Sequence, residues 1–376
     1  MTAFKIWPAV VACAIAVAAC AGNAAAPSRA PSPAPPEAAL ARVPWPQHAV
    51  LAEQNNLLDA SQVLDPAAGL LYALVPGASG SYVLQAVDLR TGRVRRGASY
   101  RVSGLALAAG YLWAYGPPGP GGPYVLDEIS PRTLTTRLTV TVPGNPGDAV
   151  APVPGPAGSV WAGANRTLLR ISVRTGAVLA RAALPAGLVL SGLAASPDAA
   201  SPDASTLYAA AARLTAGGAI VLEYTASIGR RLAQADGGAL YWSAGGALLT
   251  ALPGGVWVWF RTGMLGESGL LSKRSLKVVA GLSTTLDAGE SPATGIGTIY
   301  DWAMGSSAAY AGGALWVTTD GGLVACVNPA TGRVRAQERV TSQPIAVTPD
   351  PAARQIVVVT QSAGVVSITP PRDCWG

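Results

Sequence analysis

"GGALWVTTDGGLVACVNPATGRV", residues Gly312 to Val334, decides the fold. A Gly-Gly turn leads into a short apolar run holding Trp316. A second Gly-Gly turn leads into another apolar run, which ends in Asn-Pro-Ala-Thr-Gly. Short apolar runs bounded by Gly, Asn and Pro read as strands, and glycine supplies the positive φ that tight hairpin turns need. The stretch is therefore two strands and two turns.

The same unit recurs along the chain. Its first half returns as "AGLLYAL" at Tyr72, "AGYLWAY" at Trp113, "AGSVWAG" at Trp161, "ASTLYAA" at Tyr208, "GGVWVWF" at Trp257 and "GGALWVT" at Trp316, with a degenerate copy, "ARQIVVVT", near Val358. Its second half returns as "LQAVDLRTGRV" from Leu84, "LDEISPRTLTT" from Leu126, "LLRISVRTGAV" from Leu168, "LLSKRSLKVV" from Leu270 and "VACVNPATGRV" from Val324. A looser copy, "VLEYTASIGRR", follows Tyr208. The aromatic marks are spaced by 41, 48, 47, 49, 59 and about 42 residues. A period in the forties with several short strands per unit predicts an all-β fold, a β-propeller. Each small sheet has faces it cannot hide alone, and stacking sheets around an axis buries them together.

Seven marks predict seven blades. Six or eight stay open, because "ALYWSAGG" from Ala239 to Gly246 could add a strand. The last copy has about three strands, so ring closure calls for a donor from the other terminus, for which "HAVLAEQ" from His48 to Gln54 is the candidate.

Composition agrees. The chain has 376 residues, is 50% hydrophobic and 12% charged, and carries 44 glycines and 31 prolines, too dense a punctuation for long helices. The formal charge of +6 is scattered along the sequence without interleaved aromatics, which argues against a nucleic-acid partner.

The N-terminal "MTAFKIWPAVVACAIAVAAC" has one early cation, Lys5, then an apolar run from Ile6 to Ala19. The run is shorter than the roughly 20 residues needed to span a bilayer and fits the apolar part of an export signal. Its end, Val17-Ala18-Ala19-Cys20, resembles a bacterial lipobox, which implies lipidation of Cys20. Residues 21–42 are rich in Ala, Pro and Ser and read as an extended tether. The expected organisation is a signal over 1–20, a tether over 21–42 and a propeller over 43–376. The expected location is the outer side of the cell membrane, or the medium if Cys20 carries no lipid. Outside the cytosol the two remaining cysteines, Cys326 and Cys374, can pair. One histidine and two distant cysteines make no metal ligand set.

The blades resemble those of bacterial extracytoplasmic propellers of the quinoprotein-like, or YVTN-type, superfamily. The carrying stretches are "AVDLRTGRV" at Ala86 to Val94, "ISVRTGAV" at Ile171 to Val178, "CVNPATGRV" at Cys326 to Val334 and the Gly-x-Leu-Trp strands at Trp113 and Trp316. Among enzymes of similar layout, the resemblance to quinoprotein dehydrogenases implies a quinone and calcium, yet the Trp spacing here is irregular and no acidic calcium cluster is present. The resemblance to propeller lyases implies a catalytic histidine and a metal, yet the only histidine, His48, precedes the first full blade. No cofactor is expected.

The longest interval, Trp257 to Trp316, holds two apparent insertions, "RTGMLGESG" from Arg261 to Gly269 and "TTLDAGESPATGIGTIYDWAMG" from Thr284 to Gly305. Long loops on a rigid scaffold are where binding concentrates. The candidate ligand or partner loop is therefore Asp287, Glu290, Tyr300, Asp301 and Trp302. The duplicated "AASPDAASPDAS" from Ala194 to Ser205 reads as a turn-forming insertion. The expected role is a tethered binding or scaffold module with an envelope protein or cell-wall partner. The alternatives are a secreted hydrolase or lyase using carboxylates at the central channel and, more weakly, binding of a redox quinone.

Overall fold

A computed structural model describes residues 45–51, 61–76, 81–100, 104–116, 124–143, 149–164, 166–196, 206–213, 219–236, 247–262, 265–281, 298–300, 308–318, 322–340, 344–360 and 364–375. By its internal contacts the chain divides into Met1–Arg42 and Val43–Gly376, and all described residues belong to the second unit. They form seven antiparallel sheets. The chain is a seven-bladed β-propeller.

In each of the first six blades four strands follow in sequence order. The seven first strands are Ser61–Asp65, Leu105–Ala108, Ala149–Gly155, Leu188–Ala195, Ala247–Leu252, Ala308–Ala311 and Pro344–Asp350. Each touches the first strand of the next blade, and the seventh touches the first, so they line the axis of a closed ring. Blade seven has three strands of its own and takes its outer strand from Gln47–Leu51, which pairs antiparallel with Gly364–Ile368. The donor predicted at His48–Gln54 is thus the right segment. It begins one residue earlier, and its described part ends at Leu51.

The aromatic marks explain the ring. Each is the third residue of its blade's second strand, and Tyr72, Trp113, Trp161, Tyr208, Trp257 and Trp316 are all fully buried. Seven apolar clusters fill the seven gaps between blades, and each aromatic lies in the cluster shared with the following blade. In blade seven the third residue of the second strand, Gln355–Thr360, is Val357, not Val358. Val357 faces blade one while Val358 faces back to blade six, as the two-residue strand period requires.

Two sequence expectations change. "RTGMLGESG" is not a loop: the second and third strands of blade five, Gly255–Thr262 and Leu265–Ser272, stay paired out to Thr262↔Leu265, which leaves only residues 263–264 between them. Residues 239–246 lie outside the described set, and the ring closes with seven blades without them. The longest interval falls on blade five's outer edge. Val278–Gly281 pairs with Gly269–Leu271, and Thr298–Tyr300 takes up the same edge against Leu265–Glu267. Residues 282–297 connect these two strands in sequence and lie outside the described residues.

The C-terminal tail closes the ring a second time. After blade seven a 3-10 turn, Arg372–Cys374, brings Cys374 to Cys326 on the third strand of blade six, and a disulfide joins them with Cα atoms 5.8 Å apart. Trp375 packs on Trp316 with ring centroids 4.8 Å apart and covers Gly312, where a Cβ would lie 2.4 Å from the indole. Among the described residues no helix is long and apolar enough to cross a membrane.

Candidate interaction face

Antiparallel order sorts the connections between two ends of the ring. Turns between first and second strands, and between third and fourth, emerge at one end. Connections between second and third strands, and from blade to blade, emerge at the other.

The first end is regular. Six blades make the same third-to-fourth turn. The N–H of its first residue bonds the carbonyl five residues on, and the N–H of its fifth residue bonds back to the first residue's carbonyl, at 2.8–3.0 Å. The first residue is Asp88, Ser130, Ser172, Thr225, Ser272 or Asn328, each able to accept from the turn's own N–H groups through its side chain. At Asp88, bonds from the N–H groups of Arg90 and Thr91 hold the carboxyl below the usual carboxylate range. The fifth residue has positive φ: Gly92, Gly176, Gly229, Gly332, and also Leu134 and Leu276. The copy that looks loose in sequence, Thr225 to Arg230, is the same turn. At Gly92 a Cβ would also lie 2.4 Å from the Val50 carbonyl of the closing strand, so only glycine fits where the ring shuts.

The turns of blades two to five are gripped by the preceding blade, and the buried Glu128, Ser159 and Glu223 take part in this. Tyr72 and Arg95 donate to the carbonyl of Pro131, and Arg95 also to that of Arg132. Arg137 pairs with the buried Glu128, stacks over Tyr111 at 4.5 Å and donates to the Val173 carbonyl at 3.0 Å. Trp161 donates to Ala226, and Arg170 to Ser159, Pro156 and Ser227. Glu223, fully buried, accepts the N–H of Arg274 at 2.6 Å. Burial raises the carboxyl pKa of Glu128 and Glu223, and that of Asp127 beside Thr139, above the ordinary range. It pushes the Tyr100 phenol up to about 12. Perturbed groups can mark an active site; here Glu128 and Glu223 take part in the grip between blades, and Asp127 accepts from Thr139 within blade two. Asp65 and Asp350, the carboxylates of the described first strands, each cap their own turn, at Ala68 and at Ala352 and Ala353. Among the described residues no group of three or more His, Cys, Asp or Glu could hold a metal ion.

The other end gathers most of the variable segments: 52–60, 77–80, 101–103, 117–123, 144–148, 214–218, 237–246, 301–307, 319–321, 341–343 and 361–363 connect there, while 282–297 joins two points on the outer edge of blade five. The segments of this end carry Glu53, Asp59, Asp148, Asp301 and Asp320 against Arg101. The strand ends beside them add Asp236 but also Arg166, Arg213, Arg261 and Arg339, so this end is mixed in charge. Of the candidate loop, Tyr300 ends the short outer strand of blade five, opposite Leu265, at this same end. Asp287, Glu290, Asp301 and Trp302 lie outside the described residues, as does Cys20. Sequence reading could not assign segments to an end of the ring, because the end at which a segment emerges depends on strand order.

No family model matches the chain, and no curated protein matches it in sequence. Its likeness is to solved structures. It is similar to BamB from Moraxella catarrhalis, at 14% identity over 82% of this chain and 83% of that one, with a TM-score of 0.51. It is also similar to the β-propeller domain of Cps50 (Swd1) from Myceliophteria thermophila, at 10% identity over 87% of this chain and 100% of that one, with a TM-score of 0.56. At such identities the likeness establishes the propeller fold, a fold that hosts many activities.

Proposed function

We propose that the chain is a cell-envelope propeller of the quinoprotein-like, YVTN-type kind. It is exported and held at the membrane by a lipid on Cys20, and it binds an envelope protein or cell-wall partner through its loop-bearing end. The observation that carries this reading is the contrast between the two ends. One is a repeated set of structural turns. The other collects most of the variable segments. A rigid ring that presents varied loops on one side is a binding platform. The hydrolase or lyase alternative needs carboxylates free at the channel; Asp65 and Asp350 are engaged in turns instead.

The test is crosslinking in intact cells of the native host, followed by mass spectrometry of what co-purifies, for wild type and for a variant lacking Thr284 to Gly305. A specific partner captured by wild type and lost on deletion is the expected result. A partner retained in full by the deletion would remove this loop from the interface. No specific partner in either sample would overturn the binding reading.

A further inference from the structure

The regular end of the ring has its own chemistry. Every blade places an exposed cation there: Arg90, Arg132, Arg174, Arg230 and Arg333 on third-to-fourth turns, and Arg354 on the first-to-second turn of blade seven. Arg274 and Lys277 do the same for blade five. The carboxylates of this end are few. Asp65, Asp88 and Asp350 cap turns, Asp373 lies in the tail beside Arg372, and Asp198 and Asp203 belong to segment 197–205, which also connects here.

A second observation is independent of charge. The exposed large hydrophobic side chains among the described residues are Val178, Leu179, Ile228 and Leu232. All four lie at this same end, in or just after the turns of the adjacent blades three and four, and Ile228 is 63% exposed. Nothing in the fold requires them there.

Cations spread over a flat face, with a few apolar side chains standing among them, are what an anionic bilayer surface recognises: the arginines meet headgroup phosphates and the apolar tips enter the headgroup–acyl boundary. A purely polyanionic partner would not call for the apolar group. We infer that this face docks on an anionic phospholipid surface, with Ile228 and Leu232 as the inserting residues, leaving the loop-bearing end turned outward. The inference rests on the envelope placement proposed above.

The test uses the full chain carrying Cys20→Ser, so that no acyl group contributes, in cosedimentation with vesicles of phosphatidylcholine alone or mixed with phosphatidylglycerol. The apolar N-terminal run is common to both vesicle types and cancels in the comparison. The wild-type chain is expected on the anionic vesicles, released by high salt. Combined replacement of Arg90, Arg132, Arg174, Arg230 and Arg333 by Gln is expected to weaken binding by ~30-fold or more, given what each surface cation contributes near such a membrane. I228S/L232S is expected to weaken it with the salt dependence kept. Unchanged melting midpoints show that the variants fold. Equal binding to both vesicle types, or binding unaffected by the five replacements, overturns the proposal. So does capture by soluble polyphosphate or by an acidic protein that anionic vesicles do not compete away. The Thr284–Gly305 deletion falls on the outer edge of blade five, away from the repeated turns, and should leave vesicle binding unchanged, so failure here and failure of the partner reading are told apart.

Discussion

Leu134 and Leu276 hold a left-handed backbone conformation, φ 58° and 49°, at the turn position that glycine fills in four other blades. The conformation costs an L-residue roughly 1–2 kcal/mol. Both side chains are buried against the preceding blade, and that packing offsets the strain. Truncation should therefore invert the usual order. Leu134→Ala loses the packing and keeps the strain, whereas Leu134→Gly loses the packing and relieves the strain. L134A should be the less stable of the two by about 1 kcal/mol in urea unfolding, with both below wild type. Equal stability of the two variants would mean that the turn carries no strain. Glu223 tests the blade-to-blade grip in another way. Its folded-state pKa is raised, first by burial, so the folded protein holds that proton more tightly than the unfolded chain does. The stability linked to it is full below the ordinary Glu pKa and is lost as pH rises through the raised value. Glu223→Gln should thus gain melting temperature relative to wild type as pH goes from 4 to 7. A difference that stays flat with pH would remove Glu223 as a titrating group.

At the scale of the element, the closure between blades six and seven is held in several ways. Trp45 is buried between these blades, and its N–H donates to Glu338 at 3.0 Å. Cys374 is tied to Cys326 across a sequence separation of 48, which corresponds to ~4 kcal/mol in the loop-entropy account. C326S/C374S should lower the unfolding midpoint in proportion, and Trp45→Ala should cost ~3–5 kcal/mol by cavity formation. Both belong to one apolar cluster, so their effects should couple in a double-mutant cycle rather than add. Much of this was legible in the sequence. The aromatic marks located the second strands, the missing fourth strand of the last blade pointed to the segment around His48, and the two cysteines were the pair available. What was not legible turned on single-residue phase or on pairing. "VVV" in the last blade offers no aromatic, so only the register separates Val357 from Val358. "RTGMLGESG" has the glycines of a loop, yet it continues a hairpin because its neighbours are already paired. Arg95, Arg137 and Arg170 gave no sequence signal of their grip on the next blade's turn, since those partners are main-chain carbonyls about 36 to 57 residues away.

For the whole molecule the governing fact is that strand order assigns every connection to one end of the ring. Arginines gather at the repeated turns, and most variable connections emerge at the other end. Blade five keeps its four strands without the short edge strand Thr298–Tyr300, so removing Thr284 to Gly305, which takes away that strand and its pairing with Leu265–Glu267, should lower the melting midpoint by only about 2–4 °C. A large loss of stability on deletion would instead make that segment part of the fold. The deciding measurement places a photo-crosslinking residue at Asp148 or Asp320, on connections of the loop-bearing end, and at Arg174 or Arg230, on the repeated turns, in living cells of the native host. Protein adducts from the first pair of positions and none from the second is the predicted result. Protein adducts from Arg174 and Arg230, with none from Asp148 and Asp320, would contradict the assignment of the partner to the loop-bearing end.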